Sequence, residues 1–239
     1  MNFFVTKIVE DSDVTYNLTV AGYVALAAVM LVVFAAGCMF RDKNKKMDAK
    51  QIAFCAMAMA LAVVTSMFKI IDMPMGGSVT LFSMLFIVLT GYWFGVRTGI
   101  TTAVAYGILQ LLINPYIISI WQMLMDYVFA FGALGLAGLF SNKKKGLIKG
   151  YIAGILGRYF FSFLSGWIFF AVYTPDFFNS AILYSLAYNG AYIGLEAAIT
   201  LIVLALPPVN EAMQAVKSWF VRRKTSNYII YLFQTNNAK

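Results

Sequence analysis

The chain has 239 residues, of which 62% are hydrophobic and only 12% are charged. Soluble domains carry about 25% charged residues, so this sequence has too few to coat a water-facing surface, and lipid must solvate much of it. There is no histidine, which removes the commonest general base and metal ligand and argues against an enzyme and against a metal site. The two cysteines, Cys38 and Cys55, lie in apolar runs and predict no disulfide.

Seven apolar runs are long enough to cross a membrane, since a spanning helix needs about 20 mostly apolar residues. Their hydrophobicity is continuous and not alternating, which makes strands improbable. The predicted spans are residues 17–40, 51–68, 80–96, 98–113, 116–140, 150–172 and 180–206. We therefore expect an all-α membrane protein, with a six-helix domain at 51–206 preceded by one extra transmembrane helix.

The first run, residues 17–40, is predicted to be an uncleaved helix. Its leader, residues 1–16, is net acidic, whereas a signal peptide has a basic leader and a shorter apolar stretch. A faint lipoprotein-like box ends at Cys38, but the strongly basic linker 41–50 follows it and favours a cytoplasmic stop.

The basic residues predict the orientation of the chain in the membrane. Of the 18 lysines and arginines, 15 fall on one side if the N-terminus is outside and the tail 207–239 is cytoplasmic. Only Lys7 and Lys69 fall on the other side, and Arg158 lies within a span. The positive charge is thus a feature of the cytoplasmic face of a multi-pass plasma membrane protein, and no nucleic-acid partner is expected.

Polar residues inside the spans are costly and usually mark a function or a partner. Asp126, Ser162 and Asn189 lie on three different helices at a similar depth in the predicted outer half of the bilayer. The last span carries two polar stripes at helical spacing. They are Tyr184, Tyr188 and Tyr192, and Ser185, Asn189, Tyr192 and Glu196.

A carboxylate, an amide and several aromatic rings together suit a flat organic cation, through charge neutralisation, hydrogen bonding and cation–π contact. An equally good interpretation of the pattern is structural, because tyrosines near helix ends form interfacial belts and buried amides join helices. For Arg158 the structural interpretation is favoured, and for Glu196 the two are balanced.

Four segments together resemble the thiamine-specific substrate-binding (S) component of energy-coupling factor transporters. They are MPMGGSVT at 73–80, WQMLMDY at 121–127, GRYFFSFLSGWIFFAVY at 157–173 and YSLAYNGAY at 184–192, with Glu196 following. The resemblance covers about residues 53–206 and implies a six-helix fold that binds thiamine near the outer face. The ligand is a vitamin, and the resemblance implies no cofactor.

The resemblance also implies the roles of individual residues. Asp126 stands where the family has a carboxylate, usually Glu, that contacts the vitamin, and Tyr127 is the adjacent aromatic. Ser162 replaces a family histidine, and Phe170 replaces a ring-stacking tryptophan. The remaining implied ligand positions are Gly166, Tyr184, Tyr188 and Asn189.

Two further segments are predicted to serve capture and assembly. The segment 73–80, with Met73 and the paired Gly76 and Gly77, is the natural lid. Small residues four apart on the 51–68 helix let another helix approach closely, either within the chain or from a partner. They are Ala56 and Ala60, and Ala58 and Ala62.

The sequence has no GxxxxGK phosphate loop, so the chain cannot hydrolyse ATP itself. The resemblance implies partner subunits, a membrane scaffold and two ATPases. Ser162 and Asp126 leave another vitamin, or a thiamine precursor such as its pyrimidine moiety, as the main alternative ligand. A membrane enzyme that acts on lipid is the other alternative. It would need a nucleophile–base pair or a metal cluster, and neither is apparent in the sequence.

Overall fold

The computed structural model describes residues 5–10, 13–22, 24, 28 and 47–219. The chain divides into two compact units, Met1–Ile199 and Thr200–Lys239, and the site described below lies in the first. The second unit includes a helical stretch at residues 207–219.

Six helices within residues 49–205 confirm the predicted helical bundle. Five of them are long and apolar enough to cross a membrane, and the second, with 12 residues, is apolar but shorter. The helices are α1 (Ala49–Met67), α2 (Ser83–Phe94), α3 (Val96–Ile113), α4 (Ile120–Phe140), α5 (Gly146–Phe169) and α6 (Ala181–Ala205).

Two short antiparallel hairpins were not expected. β1 (Val5–Glu10) pairs with β2 (Asp13–Leu18), and β3 (Lys69–Asp72) pairs with β4 (Ser78–Thr80). Strands are improbable only for the long apolar runs, and these hairpins lie almost wholly outside those runs.

The predicted extra helix at 17–40 is only partly visible. Its first two residues, Asn17 and Leu18, belong to β2. Positions 20–22, 24 and 28 are helical, and the rest of the prediction lies outside the described residues.

Local hydrogen bonds explain where two helices begin. α2 begins at Ser83 and not at Thr80, because Thr80 completes β4 and Phe82 has a left-handed φ of 62°. α4 begins at Ile120, where the Ser119 hydroxyl accepts a hydrogen bond from the Gln122 amide at 3.2 Å, as an N-cap does.

Glycines let three helices pack backbone to backbone. A Cβ on Gly99 of α3 would lie 2.9 Å from the carbonyl oxygen of Gly135 on α4, and one on Gly91 of α2 would lie 3.0 Å from the same atom. Small residues at crossings give this close approach, on which helix association in lipid depends.

The connections of the bundle lie at two ends. At one, Phe170 stacks on Tyr116 with ring centroids 5.7 Å apart, and Gly76 lies beside Tyr116. This end, which carries the α1–α2, α3–α4 and α5–α6 connections, is called the loop end below. At the other, the Ser141 hydroxyl donates to the Tyr92 carbonyl at 2.6 Å, which joins the α4–α5 connection to α2.

Candidate functional site

A cavity of about 220 Å³ lies at the loop end and is lined by side chains from all six helices or their connections. Every residue predicted to contact the ligand lines it: Asp126, Tyr127, Ser162, Gly166, Phe170, Tyr184, Tyr188 and Asn189. Two of the three predicted lid residues, Gly76 and Gly77, also line it. Met73 does not, and Met75 takes its place. The residues that the resemblance implies as ligand positions thus lie around one cavity, and their contact with a ligand stays a prediction.

The acidic residue of the cavity stands on a π-helical turn, Leu124–Phe129, within α4. Such a turn inserts a residue into the α-helix and is frequent at functional sites. It is accommodated at Gly107 of α3, where a Cβ would collide with the Tyr127 carbonyl oxygen. Gly107 therefore allows α3 to approach the turn that carries Asp126 and Tyr127.

Two neutral donors orient the Asp126 carboxylate. Its Oδ2 accepts from Gln122 Nε2 at 2.7 Å and from Ser165 Oγ at 2.8 Å. Gln122 is itself fixed, because its Nε2 also donates to the Tyr116 carbonyl and its Oε1 accepts from the Ile118 amide. Within residues 47–219 no ion pair engages Asp126, and Oδ1 has no hydrogen-bond partner. The negative charge is therefore positioned but not neutralised.

Arg158, for which packing was the favoured role, also lines this cavity. Its guanidinium carbon lies 4.3 Å from the ring centroid of Phe131, a cation–π contact. Its buried Nε has no hydrogen-bond partner among the described residues. The cavity lining therefore includes one acid, Asp126, and two bases, Arg158 and Lys69, and neither base forms an ion pair with Asp126 among the described residues.

Aromatic rings form one wall of the cavity. Phe170 stacks on Tyr116 at an interplanar angle of 27°, and both rings line the cavity. The Tyr127 hydroxyl accepts from the Tyr116 amide at 2.9 Å and donates to the Asn114 carbonyl at 3.0 Å. Tyr127 thus fixes the α3–α4 connection that presents Tyr116, a lining residue that the sequence reasoning missed.

Asn189 lies at the centre of a hydrogen-bond network on α6. Its Nδ2 donates to the Ser185 carbonyl at 3.0 Å, and its Oδ1 accepts from the Tyr192 hydroxyl at 3.1 Å. Ser185 in turn donates to the Phe163 carbonyl of α5 at 2.7 Å. Gly166 permits this contact, because a Cβ there would meet Ser185 Oγ and lie 2.9 Å from Asn189 Nδ2.

Tyr188 faces the loop as well as the cavity. Its hydroxyl accepts from the Gly77 amide at 3.0 Å and donates to the Pro74 carbonyl. Its ring continues an aromatic row along α6, with centroids 5.8 Å from Tyr184 and 5.7 Å from Tyr192.

Glu196 does not line the cavity. It is buried behind the cavity wall, where its carboxylate accepts from Thr80 Oγ1 at 2.6 Å, Ser83 Oγ at 3.0 Å and the Met84 amide at 3.1 Å. Between the two interpretations left open for Glu196, these contacts favour structure.

The four alanines of α1 divide into two pairs. Ala56 and Ala60 are exposed, whereas Ala58 and Ala62 are 5% and 0% exposed. The prediction that Ala58 and Ala62 meet a partner is corrected, because this chain already covers them. Ala62 also accepts a hydrogen bond at its carbonyl from the Tyr106 hydroxyl of α3.

The sequence analysis missed Gln122 and Ser165, the two residues that donate hydrogen bonds to the predicted ligand contact Asp126. Gln122 precedes Asp126 by four positions, a helical spacing that could have indicated it. Ser165 could not be singled out, because serine is common in spanning helices and only the packing of α5 on α4 brings it to Asp126. No group of three metal-ligating side chains occurs among the described residues.

Known proteins resemble this chain in sequence and in fold. The family described as thiamine transporter protein matches residues 52–215. The thiamine transporter ThiT of Bacillus subtilis (strain 168) is 34% identical over 165 residues, which cover 63% of this chain and 84% of that protein. The solved structure of ThiT from Listeria monocytogenes is 24% identical, with a TM-score of 0.55, and the match covers 66% of this chain and 94% of that one. This second likeness supports the fold.

Proposed function

The chain belongs to the thiamine transporter protein family, and on that premise we propose that its loop-end cavity captures thiamine with high affinity. It is a multi-pass protein of the plasma membrane, and its family is one of transporters and not of enzymes. The observation that carries the proposal is the Asp126 carboxylate, oriented by two neutral donors and without an ion pair in the described part of the chain.

A cationic ring beside Asp126 would supply the missing positive charge in a medium where charges are poorly screened. Phe170 and Tyr116 offer a stacked aromatic face for a flat ring, and the Asn189 Oδ1 retains one lone pair for hydrogen bonding. The roles proposed for Tyr127, Ser162, Gly166 and Tyr184 follow from their places around the same cavity.

Asp126→Asn tests the proposal. We expect thiamine affinity to fall at least about tenfold, because a charge-assisted contact contributes about 1.5–3 kcal/mol. Isothermal titration of detergent-purified protein measures this. Asp176→Asn, at an exposed loop carboxylate outside the cavity, is the matched control and should bind like the wild type. Equal affinity in the two variants would remove Asp126 from the binding site.

Ser162 keeps a second ligand in consideration. It is buried and lines the cavity with a side chain much smaller than the family's histidine, which leaves room for a different ring substituent. Titration with thiamine, its pyrimidine moiety and riboflavin, together with mass spectrometry of any small molecule that co-purifies, decides between these ligands.

We further propose that α1 docks on the membrane scaffold of an energy-coupling factor module, whose two ATPases supply the energy for import. The exposed pair Ala56 and Ala60 provides a face on which another helix can approach closely. Ala60→Trp should abolish vitamin uptake by cells and leave binding to the purified protein unchanged. Leu183→Trp, at an exposed site on α6, is the control and should transport normally.

A further inference from the structure

The hydroxyl of Tyr188 has almost all of its hydrogen-bonding capacity occupied by the β3–β4 loop above the cavity. It accepts from the Gly77 amide at 3.0 Å and donates its proton to the Pro74 carbonyl. A tyrosine hydroxyl has one donor and two acceptor sites, so a single lone pair remains for anything else. This group is poorly suited to recognise a ligand and well suited to hold a backbone segment.

The loop has one end that is firmly held. Thr80 and Ser83, which follow the loop, both donate to the buried Glu196 carboxylate at 2.6 and 3.0 Å. Breaking these bonds would remove two donors from a buried charge, which is costly. Movement of the loop is therefore confined to its tip, residues 73–77.

The tip depends on Tyr188 for its attachment to the helices. Within the described residues, Tyr188 makes the only side-chain hydrogen bonds between positions 73–77 and a helix. The tip is also conformationally unusual, since Met75 has a φ of 61° and Gly76 a φ of 87°. A non-glycine residue held at a positive φ needs support from its surroundings.

We propose that Tyr188 is a positioning residue that latches the tip of the loop over the cavity, while Glu196 fixes the end about which the tip opens. Met75, Gly76 and Gly77 then form the cover of the cavity, and release of two hydrogen bonds opens it. Tyr188 and Glu196 are eight residues apart on α6, so one helix controls both the fixed and the mobile end of the loop.

Accessibility of the empty cavity tests the latch without any ligand. Ser162→Cys, in a background with Cys38→Ser and Cys55→Ala, places one thiol at a buried position in the cavity wall. We expect Tyr188→Phe to raise its rate of labelling by a water-soluble methanethiosulfonate at least about fivefold, the lower limit for losing two ordinary hydrogen bonds. Tyr159→Phe is the matched control, because its hydroxyl donates to the Leu186 carbonyl outside the cavity.

A second variant breaks the latch with the tyrosine intact. A Cβ at Gly77 would collide with the Tyr188 hydroxyl, and Gly77 has an ordinary φ of −68°, so Gly77→Ala should open the tip without straining its own backbone. Because both changes act on one contact, Gly77→Ala combined with Tyr188→Phe should label no faster than the faster single variant.

Binding kinetics provide a second test of the latch. This test rests on the proposed function, because thiamine is the probe. In stopped-flow measurements the latch predicts that Tyr188→Phe raises both the association and the dissociation rate of thiamine. If Tyr188→Phe speeds thiamine dissociation but leaves the labelling rate unchanged, Tyr188 is a direct ligand contact and the latch is refuted. The latch is also refuted if both Tyr188→Phe and Gly77→Ala are labelled at the wild-type rate. Wild-type protein that fails to bind thiamine would refute the proposed function, and the labelling arm would still decide the latch.

Discussion

Glu196 shows how a single residue deep in an apolar helix can hold a charge. Its two carboxylate oxygens accept from Thr80 Oγ1, Ser83 Oγ and the Met84 amide, all from one short segment. The Met84 amide belongs to the first turn of α2, whose amides lack partners within the helix. The same contacts therefore satisfy the acid and cap the helix, and the partial positive charge at a helix N-terminus adds to this stabilisation.

Glu196→Gln should destabilise the protein. The substitution replaces one carboxylate oxygen by an NH₂ group, which would face the donors Thr80, Ser83 and the Met84 amide and could not accept their hydrogen bonds. The cost expected for a lost charged hydrogen bond is about 1.5–3 kcal/mol. Thermal unfolding of the ligand-free protein in detergent measures it. Glu211→Gln, at an exposed position, should unfold like the wild type. If the two variants unfold at the same temperature, the Glu196 network does not stabilise the fold.

At the scale of elements, the π-helical turn Leu124–Phe129 decides where the site's acid lies. An inserted residue rotates everything that follows it on the helix, so Asp126 and Tyr127 depend on the turn for their direction. The turn packs against Gly107 of α3 at a distance that excludes a Cβ. A glycine on one helix thus supports the geometry of a carboxylate on another.

Gly107→Ala should consequently weaken thiamine binding by about tenfold or more and lower stability, since overpacking costs about 1–3 kcal/mol. Gly194→Ala is the matched control, because a Cβ at this helical glycine has no atom within 4 Å. The control should bind normally and be slightly more stable, as alanine favours helix by about 1 kcal/mol over glycine. Titration and thermal unfolding of both proteins check this, and normal binding by Gly107→Ala would show that the turn tolerates displacement.

The helices and the polar stripes of α6 were predictable because both depend on periodicity, whereas Tyr127, Gly166 and Phe170 were indicated only by the family resemblance. Ser185 and Asn189, four residues apart, share a helical face in any helix, whatever packs against it. The π-helical turn, the Gly107 contact and the direction of the Tyr188 hydroxyl were not predictable, because each depends on atoms brought together from distant parts of the chain. The hairpin β3–β4 was missed for a related reason, since strands of four and three residues carry almost no pattern.

At the scale of the bundle, the basic residues of the α2–α3 and α4–α5 connections lie at the end opposite the cavity. Arg97 follows the α2–α3 junction, and Lys143, Lys144 and Lys145 form the α4–α5 connection, whereas the cavity opens at the loop end. Lysine and arginine are retained on the cytoplasmic side of short connections. A cavity on the opposite side is therefore expected to face outward, as capture of an external vitamin requires.

Labelling of single cysteines in intact cells tests this orientation. In a background with Cys38→Ser and Cys55→Ala, we expect Asp176→Cys at the loop end to react with a membrane-impermeant maleimide. Lys144→Cys should react only after the cells are permeabilised. Both positions are exposed, so a difference in reactivity reports sidedness and not burial. The reverse pattern would place the cavity mouth in the cytoplasm, where Asp126 would meet vitamin that has already been imported.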